Sequence, residues 1–145
     1  MTTPRLLIRA PTEGEPDLVD PGVCEFGELL AEFMTATPDC AGAVLSDGVD
    51  DTIDTAHRPA LITALDLEIA GAQIGQAMTR LTTDGIIFGL GRAQIVLEGA
   101  NFMLVSKLLW EQYLVTAVLD PRANIARAMR NFDAITARIL ALLKG

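Results

Sequence analysis

Apolar residues recur along this chain with two different periods, and the switches between them lay out its elements. Phe26, Leu29, Leu30, Phe33 and Met34 fall at i, i+3, i+4, i+7 and i+8, the stripe of an amphipathic helix. Ahead of them Asp20-Pro21 offers an N-cap carboxylate and a proline suited to the first helical position. Pro38-Asp39 predicts where that helix stops. Cys40 to Leu45 is a short, unbroken apolar run that predicts a buried strand. Asp47-Gly48 predicts a turn, and Asp51 to Thr55 the hairpin mate.

A second helix is expected from about Pro59 to Leu81, with leucine and isoleucine on most sides and small residues, Ala60, Ala64, Gly71 and Gly75, on one. Each interior glycine costs a helix about 1 kcal/mol against alanine, so a pair one turn apart implies close approach of another backbone. Asp84-Gly85 ends the helix, and Ile86 to Gly91 is a glycine-bracketed apolar loop. Three strands then follow, Ala93 to Glu98, Phe102 to Leu108 and Tyr113 to Leu119, joined by turns short enough for hairpins. The last has almost no polar alternation, so both its faces should be covered. Asp120-Pro121 repeats the capping pattern of the first helix. The final helix places Ile125, Ala128, Met129, Phe132, Ile135, Ile139, Leu142 and Leu143 on one face.

The order is therefore α-β-β-α-β-β-β-α. It predicts an α+β domain, a five-stranded antiparallel meander with helices on both faces. Residues 1–20 stand apart, with Pro4, Pro11, Pro16 and four acids. They read as an extended arm in which Arg5 to Arg9 adds a short edge strand, leaving 21–145 as the domain.

Composition narrows the picture. A chain of 145 residues buries roughly 68–70% of its unfolded surface, so it needs neither disulfide nor metal. Half of it is hydrophobic and only 5% aromatic, which makes the core aliphatic. The net charge of −8 is uneven: twelve of nineteen acids lie between Glu13 and Asp54, while Arg122, Arg127, Arg130, Arg138 and Lys144 crowd the end. An acidic surface repels phosphate, which argues against nucleic acid. No apolar run approaches the ~20 residues of a membrane span, and no secretory leader is apparent. Cys24 and Cys40 have no zinc-type spacing. A cytoplasmic location is expected.

The catalytic inventory is thin. His57, the single histidine, reads as a surface or capping residue at the entrance of the second helix. Neither Ser46 nor Ser106 sits in a nucleophile elbow, and no triad is visible. Asp47, Asp50, Asp51 and Asp54 lack the register of a calcium loop and read as a solvated hairpin tip. With lysine only at 107 and 144, a phosphate-binding loop is excluded. No catalytic residue, metal ligand or cofactor is expected. Trp110 lies in a tight turn, where it serves either as an interface anchor or as a lid over its own hairpin.

Several runs resemble the Roadblock (dynein light chain) family over about Phe26 to Leu143. The most specific is Tyr113-Leu-Val-Thr-Ala-Val-Leu-Asp-Pro-Arg-Ala-Asn-Ile125, a last strand and the opening of the last helix. Leu29 to Pro38 and Gly42 to Gly48 look like the family's first helix and hairpin. The chain departs from the pattern at Asn124-Ile125-Ala126 and at Trp110. The resemblance implies a non-catalytic homodimer in which second helices pack antiparallel and third strands pair edge to edge. Its interface would use Ala64, Gly71, Gly75, Met78, Ala93, Ile95 and Leu97. The partner implied is a small Ras-like GTPase or a related motor or signalling complex, docked on Asp66, Gln73, Gln76, Arg80 and Trp110. Two other readings stand beside it: a PAS-like small-molecule sensor, which needs an apolar pocket, and an enzyme whose acid is one of the clustered aspartates.

Overall fold

The computed structural model describes residues 18–48, 51–83 and 93–145. The strand expected at Arg5 to Arg9, Asp50, the Asp84-Gly85 stop and the apolar loop Ile86 to Gly91 lie outside these residues. The elements are α1 (Glu25–Ala36), β1 (Cys40–Asp47), β2 (Asp51–His57), α2 (Ala64–Thr83), β3 (Gln94–Glu98), β4 (Met103–Leu108), β5 (Tyr113–Leu119) and α3 (Ile125–Lys144). The expected order and the α+β class hold.

The sheet is antiparallel throughout, but it is not a simple meander. Its strand order is β2-β1-β5-β4-β3: the β3–β4–β5 meander joins the β1–β2 hairpin through pairing of β1 with β5. This puts β5 at the centre, and it is buried from Leu114 to Leu119, as its continuous apolar run required. The edges are β2 and β3.

α1 and α3 cover one face. Leu30, Phe33 and Met34 of α1 meet Phe132, Ile135 and Ile139 of α3 over Ala43, Val105, Val115 and Ala117 of the sheet. Phe33 and Phe132 touch edge to face at 5.7 Å. The acidic first half and basic last helix meet here: Arg138 pairs with Glu32, Arg127 with Asp39 at 3.4 Å, and Asn131 donates to the carbonyl of Ala36. The charge asymmetry is thus partly spent within the chain. These exposed pairs contribute about 0–1 kcal/mol each.

α2 lies on the other face, across β2, β1 and β5. Its Leu67 packs with Ile62, Ala41, Val44 and Val118, while Ile74 and Met78 pack with Ala93 and Leu114. Gly71 explains its own cost: a Cβ there would sit 2.9 Å from Val44 Cγ1 and 3.1 Å from Ser46 Oγ. The glycine lets α2 approach β1, its own sheet, rather than a second helix. Gly71→Ala is therefore expected to destabilise by about 1–3 kcal/mol, although helix propensity alone would favour alanine by about 1 kcal/mol. Chemical denaturation reads the sign directly.

Three helix starts differ from expectation. α1 begins at Glu25, after the N-cap Cys24, because Gly22, at φ +72, turns the chain before the helix. Asp20 instead caps that turn through the Gly22 N–H. α2 begins at Ala64, since the Arg58 carbonyl takes Leu61 and Ile62 into a turn and Thr63 caps the Asp66 N–H. α3 begins after Asn124, whose side chain accepts from Arg127 N–H. Asp120 closes a turn with Arg122.

Candidate functional site

The outward face of α2 carries the surface of interest. Leu65, Ile69, Gln73, Gln76 and Arg80 follow at helical spacing and are exposed, Leu65 by 63% and Ile69 by 45%. Asp66 is half-buried on its flank. α2 packs mainly over β2, β1 and β5, and its Ile74 and Met78 reach Ile95 of β3 and Leu104 and Leu108 of β4. Ile95 and Leu97 pair with Ser106 and Leu104 there, and Leu97 is 48% exposed. β3 also forms the edge of the sheet. Two exposed apolar side chains on the helix, an exposed leucine on β3 and a sheet edge are thus present among the described residues. Each is costly to leave in water.

The seven residues expected at a dimer interface divide accordingly. Leu97 is exposed, and Ala64 and Ile95 are half-buried. Gly71, Gly75, Met78 and Ala93 are buried within their own chain. Leu65 and Ile69, which the sequence did not single out, lie on the outward face. The signal that finds them is the stripe on which they share a side with Gln73, Gln76 and Arg80.

Trp110 is 37% exposed and stacks on Tyr113 at 6.1 Å between ring centroids. The turn is closed by Leu109 N–H to Tyr113 O at 2.8 Å and Tyr113 N–H to Trp110 O at 2.9 Å, with Glu111 at φ +54. The ring stacks on its own hairpin and remains partly exposed.

The aspartate cluster divides. Asp47 accepts from the Gln112 side chain at 2.7 Å and Asp51 is exposed, but Asp54 turns inward under α1. Its carboxylate accepts the N–H groups of Val23, Cys24, Gly27 and Thr55 at 2.8–3.3 Å. Desolvation opposes ionisation there, yet the bonds from the Cys24 thiol and from these backbone groups win and hold its acidity below the ordinary carboxylate value. A carboxylate so saturated is a helix cap, with no lone pair left for general acid–base work. Arg58 performs the complementary task, donating to the carbonyls of Met34 and Cys40 at the other end of α1. His57 is buried in β2 rather than exposed at a helix entrance, because β2 runs two residues beyond the expected Thr55.

The cysteines are placed differently. Cys40 is buried, and desolvation pushes its thiol up to about 12. Cys24 is exposed, but partial desolvation and the Asp54 carboxylate raise it too. A thiol reagent at pH 7.5 should label one cysteine in the folded protein, more slowly than free cysteine, and the second only after unfolding. Fast labelling of both would show that α1 does not sit on β2.

No group of three metal-ligating side chains occurs among the described residues. No helix among them is long and apolar enough to cross a membrane. A cavity of about 190 Å³ lies beside Gly75, Met78, Leu108 and Leu114, smaller than the ~300–1,000 Å³ of most small-molecule sites.

No family model matches the sequence, and comparison with curated proteins finds no match. Solved structures do match. A Roadblock/LC7 domain from Streptomyces avermitilis superposes with a TM-score of 0.68 at 16% identity, over 81% of this chain and 97% of that one. The gliding protein MglB from Thermus thermophilus gives 0.66 at 16% identity, over 77% and 82%. An MglB described with a tetrameric arrangement gives 0.70 at 15% identity, over 80% and 85%.

Proposed function

We propose that this chain, which has the Roadblock fold, is a non-catalytic homodimer that regulates or scaffolds a small Ras-like GTPase in the cytoplasm. The observation that carries the reading is the exposure of Leu65 and Ile69 on α2 and of Leu97 on β3, an edge strand among the described residues. Pairing of two β3 edges would make one ten-stranded sheet and bring the two α2 helices onto the same face of it. That single step removes an aggregation-prone edge and buries Leu65, Ile69 and Leu97. The polar remainder of the paired helices, Gln73, Gln76 and Arg80 with Asp66 on the flank, then forms a two-fold docking surface, and Trp110 provides an aromatic anchor at the sheet's end. The saturated Asp54 and the poor nucleophile inventory support a regulator that acts by shape.

The test is co-elution of the purified protein with purified Ras-like GTPases, each loaded with GDP or a non-hydrolysable GTP analogue. Capture in one nucleotide state only, lost in Gln76→Glu/Arg80→Glu, is expected. A stable monomer at micromolar concentration, or capture indifferent to nucleotide, would overturn the regulator reading.

A further inference from the structure

The two edges of the sheet are built differently. β2 carries a bulge opposite Leu45 and Ser46, exposes Asp51, and has its far end bridged by Asp20. A bulge and an edge charge both discourage pairing with another strand. The middle of β3 has neither. It pairs with β4 in unbroken register, and it exposes Val96 by 43% on one face and Leu97 by 48% on the other. An edge with apolar side chains bare on both faces is a template for a further strand.

The hydrogen bonds of β3 restrict the register such a strand can take. Leu108 N–H donates to Ala93 O and Gly99 N–H to Phe102 O, both at 3.0 Å. Bonded pairs alternate along an antiparallel ladder, so Ala93, Ile95, Leu97 and Gly99 turn their peptide groups toward β4. Those of Gln94, Val96 and Glu98 turn outward. An added antiparallel strand must set its own outward residues opposite these, and a slip by one residue would also reverse its faces.

A second β3 meets the requirement when the two-fold axis passes at Val96. Val96 then faces Val96 of the partner subunit, Gln94 faces the partner's Glu98, and every outward peptide group has a mate within the strand. The side chains agree. Val105 stands beside Val96 and continues a valine row across the axis. Lys107 stands beside Gln94, so the partner's Glu98 completes a row carrying both signs of charge. On the α2 face Ile95 meets Leu97 of the partner subunit. Moving the axis to Ile95 or Leu97 instead sets Val96 against the partner's Gln94 or Glu98 and carries one outward peptide past the strand end. Self-complementarity of this kind belongs to an isologous contact between identical chains.

We propose that β3 is a self-recognition strand, pairing antiparallel with β3 of a second copy in the one register that places Val96 on the two-fold axis and Gln94 opposite the partner's Glu98. The proposal rests on the homodimer reading and fixes the register which that reading leaves open.

Cross-linking reads the register directly. The exposed Cys24 is replaced by serine, and the buried Cys40 stays. Ile95→Cys, Val96→Cys and Leu97→Cys are introduced one at a time into the full chain. Light scattering checks each for the dimer before mild oxidation with copper phenanthroline. Opposed residues of a bonded pair lie about 5.5 Å apart between Cα atoms, within the roughly 4.4–6.8 Å that a disulfide spans. Ile95 and Leu97 are diagonal to their own copies, about 7–8 Å away, which is too far. Val96→Cys is expected to form the covalent dimer about tenfold faster than the other two, or more. Faster linkage of Ile95→Cys or Leu97→Cys would overturn the register and leave the homodimer standing. No linkage in any of the three, in chains that scatter as dimers, would remove β3 from the axis. Monomers throughout, wild type included, would sink the homodimer reading and the proposal with it. Amide exchange of the wild type needs no substitution. The N–H groups of Gln94, Val96 and Glu98 should exchange as slowly as those of Ile95 and Leu97, which face β4. Fast exchange at Val96 overturns the proposal whatever the cysteine variants do.

Discussion

Asp54→Ala is expected to lower the stability of the domain by about 2–4 kcal/mol, more than an ordinary helix cap, whose loss costs about 0.5–2 kcal/mol. One carboxylate gathers four backbone N–H groups, three of them from the loop and first turn that open α1. The Gly27 and Thr55 donors are buried, and a charged acceptor binds such groups more strongly than a neutral one. The surrounding backbone is shaped to admit it. A Cβ on Gly27 would lie 2.4 Å from Asp54 Oδ2 and 2.1 Å from the Pro21 carbonyl, and one on Gly22 would lie 2.2 Å from Asp54 Oδ1. Gly27→Ala should therefore destabilise although it sits in a helix. Asp54→Asn, which keeps one acceptor oxygen, should fall between wild type and alanine.

Acid provides a second reading of the same cap. Asp54 is held below its usual value of 3.8 in the folded state, so below that pH the unfolded chain binds more protons. Its contribution is complete above the ordinary carboxylate range and is lost as pH falls through the lower folded value. Urea denaturation between pH 7 and pH 2.5 should show wild type and Asp54→Ala converging at the acid end. Parallel curves would mean that the carboxylate is not the cap.

Ile69→Glu is expected to weaken self-association about 100-fold or more, which corresponds to roughly 2.7 kcal/mol. A glutamate buried against an apolar partner surface without a counter-ion exceeds that cost readily. The side chain is 45% exposed in the single chain, so the substitution leaves the protomer's own core intact and its circular dichroism unchanged. Light scattering at a few micromolar should find wild type at about 31 kDa, twice the 15.5 kDa chain, and the variant near the monomer mass. A variant that stays dimeric would remove α2 from the interface and shift attention to Leu97 at the β3 edge.

Much of this fold is written in periodicity. The stripe from Phe26 to Met34, the apolar run of β5 and the face from Ile125 to Ile139 each report burial by local spacing, and each element forms where that spacing puts it. Helix starts are harder to read. Asp20-Pro21 and Asp120-Pro121 have the local chemistry of a cap, yet one helix is capped by Asp54, about thirty residues further along the chain. The other is capped four residues downstream by Asn124. The same blindness affects the candidate surface. Gly71 and Gly75 show that α2 approaches some backbone closely, but a one-dimensional pattern does not distinguish its own β1 from a second helix.

What the sequence determined by itself is the set of elements, their order, the acidic balance and the absence of familiar catalytic motifs, because these depend on composition and near-neighbour spacing. Only the tertiary structure decided that β1 pairs with β5, leaving β3 as an edge, and that Leu65, Ile69 and Leu97 are exposed. It alone placed Asp54 and Arg58 at the two ends of α1. Four strand steps from 54 to 58 span about 13 Å, close to the ~13.5 Å of nine helical steps from Glu25 to Met34. Those pairings are set by distances through space, between residues that the chain itself keeps far apart.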